Sequence, residues 1–190
     1  MRICFVIPVC NEAPTLRELT ESIGRYAQPW EHRILFIDDG STDDTAATLR
    51  TLRETHPGVD FIRFRENLGK TRALAVGFAR AQGDLFITMD GDLQDRPEEI
   101  PALVAKYEEG YDLVCGWKAE RRDPGHKVFL SRVYNRCLAA MFGIDLHDVN
   151  TGFKAIRADL ARRLPLFGDM HRMMAVFAAR GGYRVTEIPV

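Results

Sequence analysis

The most chemically suggestive stretch of this 190-residue chain is Asp90-Gly91-Asp92, followed by Leu93-Gln94-Asp95. Two carboxylates one residue apart, with a glycine between them that tolerates a sharp turn, can place hard oxygen ligands on one cation. Mg2+ or Mn2+ held there would bridge a diphosphate and neutralise a leaving group. A solvated acidic turn is the ordinary alternative for a lone Asp-x-Asp. Three other polar clusters have comparable chemistry. Asp38-Asp39-Gly40-Ser41-Thr42-Asp43 offers a carboxylate that would accept hydrogen bonds from a base or ribose. Alternatively, Asp38 and Asp39 merely finish a strand while Ser41 or Thr42 caps the next helix. Pro8-Val9-Cys10-Asn11-Glu12 presents Asn11 and Glu12 side by side. Asn67-Leu68-Gly69-Lys70 puts backbone N–H groups and an ammonium at the front of a helix, a setting that suits an anion.

These clusters need a scaffold that brings them together, and the hydrophobic pattern supplies one. Ile3 to Ile7, Ile34-Leu35-Phe36-Ile37, Leu85-Phe86-Ile87-Thr88-Met89 and Asp112-Leu113-Val114-Cys115 contain apolar runs of the kind found in strands covered on both faces. Asp60 to Arg65 alternates like a half-buried strand. Between the runs, Leu16, Leu19, Ile23 and Tyr26 recur at helical spacing, with Thr15 and Glu18 forming a capping box. Further helices are predicted over 43–56, over 69–82, and around Ile100, Leu103, Val104 and Tyr107, the last starting regularly only near Pro101. Strand–helix alternation with short connections predicts an α/β layer structure with a largely parallel sheet. Its loops would gather along one sheet edge, where such folds bind ligands. A fifth helix pattern, amphipathic over 126–142, has two readings. It closes the core, or it lies in a membrane interface.

Composition narrows the function. The chain is 46% hydrophobic and 28% charged, with a formal net charge of -1, which fits one globular domain and gives no basic field for nucleic acid. The four cysteines lie far apart with no C-x-x-C pair, so neither zinc nor a disulfide framework is indicated and a reducing cytosol is expected. No run approaches the roughly 18 apolar residues of a spanning helix. The expectation is a cytoplasmic protein, soluble or peripheral at the cytoplasmic face of a membrane.

The order of the motifs is more specific than any one of them. Pro8-x-x-Asn11-Glu12, Asp38-Asp39-Gly40-Ser41-x-Asp43, Asn67-x-Gly69-Lys70, Asp90-Gly91-Asp92-Leu93-Gln94 and Asn150-Thr151-Gly152-Phe153-Lys154 occur in that sequence. The set resembles the family-two inverting glycosyltransferases of GT-A fold, in particular the branch with dolichol-phosphate mannose synthase and bacterial polyprenyl-phosphate glycosyltransferases. The resemblance implies a GT-A fold with a mostly parallel central sheet flanked by helices. It implies a UDP- or GDP-sugar donor, with Pro8, Glu12 and Asp39 near the nucleoside and Asp90 and Asp92 on metal and diphosphate; Asn11, Lys70 and Gly91 are expected in the same nucleotide-sugar site. Asp90, Asp92 and Gln94 would serve the metal. The implied acceptor is a polyprenyl or dolichyl phosphate.

A phosphate monoester is already anionic at neutral pH and attacks an anomeric carbon without a strong general base. Two anions must then be held together, and Lys118, Arg121, Arg122, Lys127, Arg132 and Lys154 are the available cations. Arg121 and Lys154 are the expected catalytic pair alongside Asp92 and Gln94. Gly168-Asp169-Met170-His171-Arg172 resembles a segment of many bacterial members, in which Asp169 or His171 would position the acceptor; a helix N-cap and a surface histidine explain it as well.

Three departures stand against the resemblance. Cys10 replaces a common aromatic, Met173-Met174-Ala175 replaces an aromatic-aliphatic-proline run, and the chain ends at Val190, where members commonly continue. A fragment or shortened member with reduced or absent turnover, or a nucleotide-sugar binding module, is therefore the alternative reading. A sugar-nucleotide pyrophosphorylase is disfavoured by the lack of a Gly-rich loop with Arg near the N-terminus, and a nicotinamide enzyme by the lack of G-x-G-x-x-G.

Overall fold

The computed structural model describes residues 1–117 and 146–190. Seven strands form one sheet: β1 (Arg2–Val9), β2 (Glu31–Asp38), β3 (Val59–Arg63), β4 (Leu85–Thr88), β5 (Leu113–Trp117), β6 (Lys154–Arg157) and β7 (Val185–Pro189). Their order across the sheet is β3-β2-β1-β4-β6-β5-β7. All pairings are parallel except those of β6, which runs antiparallel to β4 and β5. The α/β expectation with a largely parallel sheet is met. β6 and β7 are additions that the hydrophobic pattern did not suggest.

Helices α1 (Leu16–Tyr26), α2 (Thr45–Thr55), α3 (Lys70–Arg80), α4 (Ile100–Glu108), α5 (Ala158–Arg163) and α6 (Met174–Arg180) cover both faces. The period of two along the central strand explains how. Ile3, Phe5 and Ile7 of β1 pack with Leu16, Leu19, Leu49 and Leu103, while Cys4 and Val6 point to the other side with Leu74, Phe78 and Ala175. A strand buried on both faces must read as an unbroken apolar run, as β1 does. β3 at the sheet edge carries half-buried and exposed residues, in keeping with its alternating pattern. A 3-10 turn (Pro97–Glu99) precedes α4, and Pro101 sits in the helix's first turn, where its missing N–H costs nothing.

The capping box predicted at Thr15 and Glu18 does not form. Thr15 occupies the N-cap without a side-chain cap bond, and its hydroxyl is instead 2.6 Å from the carbonyl oxygen of Gly91. The hydroxyl donates to carbonyl oxygens, those of Gly91 and of Glu12 at 2.9 Å, and not toward the helix-front N–H groups. Among the described cysteines, Cys4 and Cys115 are buried free thiols, and burial pushes each thiol up to about 11. The helix expected over 126–142, with Lys118, Arg121, Arg122, Lys127 and Arg132, lies outside the described residues. Among the described residues no helix is long and apolar enough to cross a membrane.

Candidate active site

Parallel β1, β2 and β4 deliver their C-terminal ends to one edge of the sheet, and α3 begins at the same edge. A cleft of about 330 Å3 opens there. Of the residues expected around a nucleotide-sugar, Pro8, Glu12 and Asp39 line it from the β1 and β2 sides, and Lys70, Asp90, Gly91 and Asp92 line it from the α3 and β4 sides. Val9, Cys10, Asn67 and Gly69 complete the wall. Asn11, Gln94 and Lys154 are not among the lining residues.

The β2 end is locked by backbone donors. Asp39 is 4% exposed, and its carboxylate accepts N–H bonds from Leu68 at 2.7 Å and Gly69 at 2.9 Å. The helix-front amides expected to hold an anion therefore hold one from the protein itself. Neighbouring Asp38 is fully buried; one oxygen accepts from Ser41 N–H at 2.9 Å and the other faces Arg63 Nε at 3.2 Å. Asn11 adopts φ 60, a left-handed conformation rare for a residue with a side chain. Its amide oxygen accepts from Thr42 N–H at 2.8 Å, and its own N–H donates to Ser41 Oγ at 3.0 Å. Asn11 thus braces the β1 loop onto the β2 loop.

The β4 end is built differently. The Asp90 N–H donates to buried Asp95 at 2.9 Å, and Gln94 N–H donates to Asp92 Oδ1 at 3.0 Å, so the Asp-x-Asp segment is held by its own backbone. The Gln94 side chain is exposed. Gly91 does not have a positive φ, whereas Leu93 does, at 62°. The glycine serves close packing, since a Cβ there would come 2.8 Å from Val9 Cγ1. The turn that was expected at Gly91 is made two residues later.

The Asp90 carboxylate meets the Lys70 ammonium in an ion pair, and both side chains are about a third exposed at 37% and 33%. Behind it lies Gly152 of the Asn-Thr-Gly-Phe-Lys turn. A Cβ at Gly152 would stand 2.6 Å from Asp90 Oδ1 and 2.9 Å from Oδ2, so the bare Cα makes room for that carboxylate. The turn is held in place by Thr88 Oγ1, which donates to Gly152 O at 2.6 Å. The segment leading into it is clamped by Glu187 on β7, whose carboxylate accepts the His147 N–H at 2.8 Å. Lys154 is fully buried, with its ammonium on the Thr151 carbonyl, and burial lowers its pKa. It supports the turn from inside.

Electrostatics mark the cleft as acidic. The Glu12 carboxyl is pushed up by burial first and then by the negative fields of Asp92, Asp43 and Asp90. His171 is half-buried against α3, with Nδ1 2.6 Å from Thr71 Oγ1, and its pKa is lowered to about 4, chiefly by burial and then by Lys70. It is therefore not a surface histidine, whereas Asp169 does stand at the N-cap of the 3-10 turn Met170–Met173. The Asp169 side chain makes no cap bond. Thr15, Asp95 and Gly152 have supporting roles that sequence reasoning did not assign; a threonine whose hydroxyl bonds a backbone 76 residues away leaves no periodic trace.

A model of glycosyl transferase family 2 matches residues 4–164. The chain is 31% identical over 187 residues to the dodecaprenyl-phosphate galacturonate synthase of Rhizobium johnstonii, covering 94% of this chain and 54% of that protein. It is 34% identical over 197 residues to the undecaprenyl-phosphate 4-deoxy-4-formamido-L-arabinose transferase of Klebsiella pneumoniae, covering 100% of this chain and 59% of that one. It thus spans between half and two thirds of the length of these curated relatives. Among solved structures, it superposes on a mannosyltransferase from Pyrobaculum calidifontis in complex with GDP-Man and Mn2+ with a TM-score of 0.75 at 22% identity, over 99% of this chain and 55% of that one. Glucosyl-3-phosphoglycerate synthase from Mycobacterium tuberculosis, in complex with Mn2+, UDP and phosphoglyceric acid, gives a TM-score of 0.78 at 22% identity over 99% and 68% of the two chains. The fold is the GT-A type, and the chain belongs to glycosyl transferase family 2.

Proposed function

We propose that this chain takes a hexose-type sugar from a UDP- or GDP-sugar and transfers it to a polyprenyl phosphate with inversion, with Mg2+ or Mn2+ in the cleft. The carrying observation is the convergence of Pro8, Glu12, Asp39, Lys70, Asp90 and Asp92 on one acidic cleft at the C-terminal edge of the sheet. The curated relatives named above are polyprenyl-phosphate sugar transferases, which favours a lipid phosphate over other acceptors. A protein with such an acceptor meets it at a membrane surface, so peripheral contact is part of the proposal.

The residues present fit a hard dication. Asp90 and Asp92 offer carboxylate oxygens, the bare Gly152 Cα leaves the Asp90 carboxylate space, and Lys70 already places a cationic group against it. Among the described residues no three acidic, histidine or cysteine side chains form a complete cage. An Mg2+-like ion, which keeps substrate and water oxygens in its shell, suits two carboxylates. When bound it would hold the diphosphate oxygens and offset the charge on the leaving group.

The protein's own groups do the rest. Asp39, fixed by two amides, still has lone pairs for a ribose or base donor. Among the described residues Lys70 is the cation lining the cleft, and it would meet the diphosphate. An acceptor phosphate oxygen would attack the anomeric carbon as the bond from that carbon to the diphosphate breaks, and the nucleoside diphosphate would leave with the electron pair. Because the attacking oxygen is already anionic, no protein base must remove a proton.

Calorimetric titration of UDP and GDP, with and without Mn2+, on the native protein and on Asp92→Ala, tests this reading. The expected result is metal-dependent binding of one nucleotide that disappears in the variant, followed by sugar transfer to polyprenyl phosphate in detergent. Absence of nucleotide binding in the folded chain would overturn the proposal. Binding without release or transfer of sugar would favour a nucleotide-sugar binding module.

A further inference from the structure

The Lys70–Asp90 pair has a geometry that suits exchange. Lys70 is the first residue of α3, and the start of that helix is pinned to Asp39 through Leu68 and Gly69 whatever the Lys70 side chain does. The ammonium can therefore leave Asp90 without unravelling the helix. Both side chains are about a third open to solvent, at 33% and 37%, and a pair this exposed is held only weakly. A metal ion and the ammonium would compete for the same Asp90 oxygen.

No other described cation near the cleft can take over that task. The Lys154 ammonium is buried on the Thr151 carbonyl. The His171 imidazole is half-buried against Thr71. Glu12, Asp39, Asp90 and Asp92 all line the cleft, and Lys70 is the cation lining it among the described residues. A diphosphate entering this cleft would draw the ammonium toward itself and away from Asp90.

We propose that Lys70 is the resident counter-ion of the Asp-x-Asp segment, holding Asp90 until a nucleoside diphosphate arrives, so that tight metal capture depends on the donor being present. This rests on the reading of Asp90 and Asp92 as metal carboxylates. Lys70 then acts twice: it weakens capture of metal by the empty cleft, and it strengthens capture of the diphosphate. The donor and the metal bind as a unit.

Mn2+ binding to the full chain, followed by electron paramagnetic resonance of the free ion, separates these roles. It would be measured on the native protein, Lys70→Met and Lys70→Arg, first alone and then with saturating UDP or GDP. Without nucleotide, Lys70→Met should bind Mn2+ about tenfold more tightly than the native protein, because a unit positive charge next to the site is gone. The gain in Mn2+ affinity on adding nucleotide should shrink about as much, and Lys70→Arg should stay close to native. Equal or weaker nucleotide-free Mn2+ binding by Lys70→Met, in a variant with native circular dichroism and melting, would overturn the counter-ion role. If the native protein binds no Mn2+ even with nucleotide, or if Asp92→Ala binds it as well as native, the metal-site reading itself falls, a different failure with a different signature.

Discussion

The two ends of the cleft solve opposite problems. At the β2 end, Asp39 is buried and satisfied by two protein amides, next to a fully buried Asp38 that bonds Ser41 and faces Arg63. At the β4 end, Asp90 is a third exposed, backed by a glycine, and paired with an ammonium that is itself a third exposed. The first is a rigid socket and the second an exchangeable one. A nucleoside is neutral and shape-bound, so it profits from groups fixed in advance. On the proposed reading a diphosphate would arrive with its charge and its metal, and its half of the site would need a stand-in that gives way.

The largest effect should come from breaking the rigid end. Asp39→Ala would leave the Leu68 and Gly69 N–H groups without their partner at the start of α3. Both bonds are part-buried and go to a charged acceptor, a kind worth about 1.5–3 kcal/mol each, so a loss of about 3 kcal/mol in unfolding free energy is expected in urea titrations. Asp90→Ala removes only a partly exposed pair and should cost less than about 1 kcal/mol by the same measurement. It should nonetheless abolish metal-dependent nucleotide binding. Equal stability losses in the two variants would erase the distinction between socket and exchange site.

A smaller and more selective change tests the backing of Asp90. Gly152→Ala would set a methyl group 2.6 Å from Asp90 Oδ1, closer than Cβ atoms approach, and the carboxylate would have to turn aside. Because the Asp90 side chain is 37% exposed, the carboxylate can yield at little cost to the fold. Metal-dependent nucleotide affinity is expected to fall about tenfold, the scale typical of disturbed support around metal ligands, with the melting temperature nearly unchanged. Calorimetry and thermal melting on one preparation would check both halves.

The rigid end was also the more legible one. Its strands are buried on both faces and read as apolar runs, and the polar clusters stand directly after them, so α/β order and the cleft residues follow from local pattern. The partners within the clusters do not. Thr15 looked like half of a capping box and bonds Gly91 instead; Asn11 looked like a ligand and braces residues 41–43. A hydrogen bond between loops some thirty or more residues apart has no period to detect. β6 escaped notice for a related reason. Lys154-Ala155-Ile156-Arg157 begins and ends on cations, and only pairing between β4 and β5 buries Lys154. An isolated lysine reads as solvated until its sheet neighbours are known. Arg121, the other expected cation, lies outside the described residues.

The mildest test concerns the joint between the two ends, where His171 touches Thr71 one residue past Lys70. Burial, then the positive fields of Lys70 and Arg172, lowers the imidazole pKa to about 4 from an ordinary value of 6.5. The folded protein thus keeps this histidine neutral over a range in which the unfolded chain protonates it. Between these two values the unfolded state binds more protons, so stability must fall as pH drops from about 6.5 toward 4 and be fully present above it. His171→Gln removes that proton uptake while keeping a polar group for the Thr71 hydroxyl. The native melting temperature should therefore decline more steeply than that of the variant across this window, and the two slopes should agree near pH 7.5. Parallel slopes throughout would mean that the imidazole titrates alike in both states. Thr71 would then not be holding a neutral ring against the start of α3.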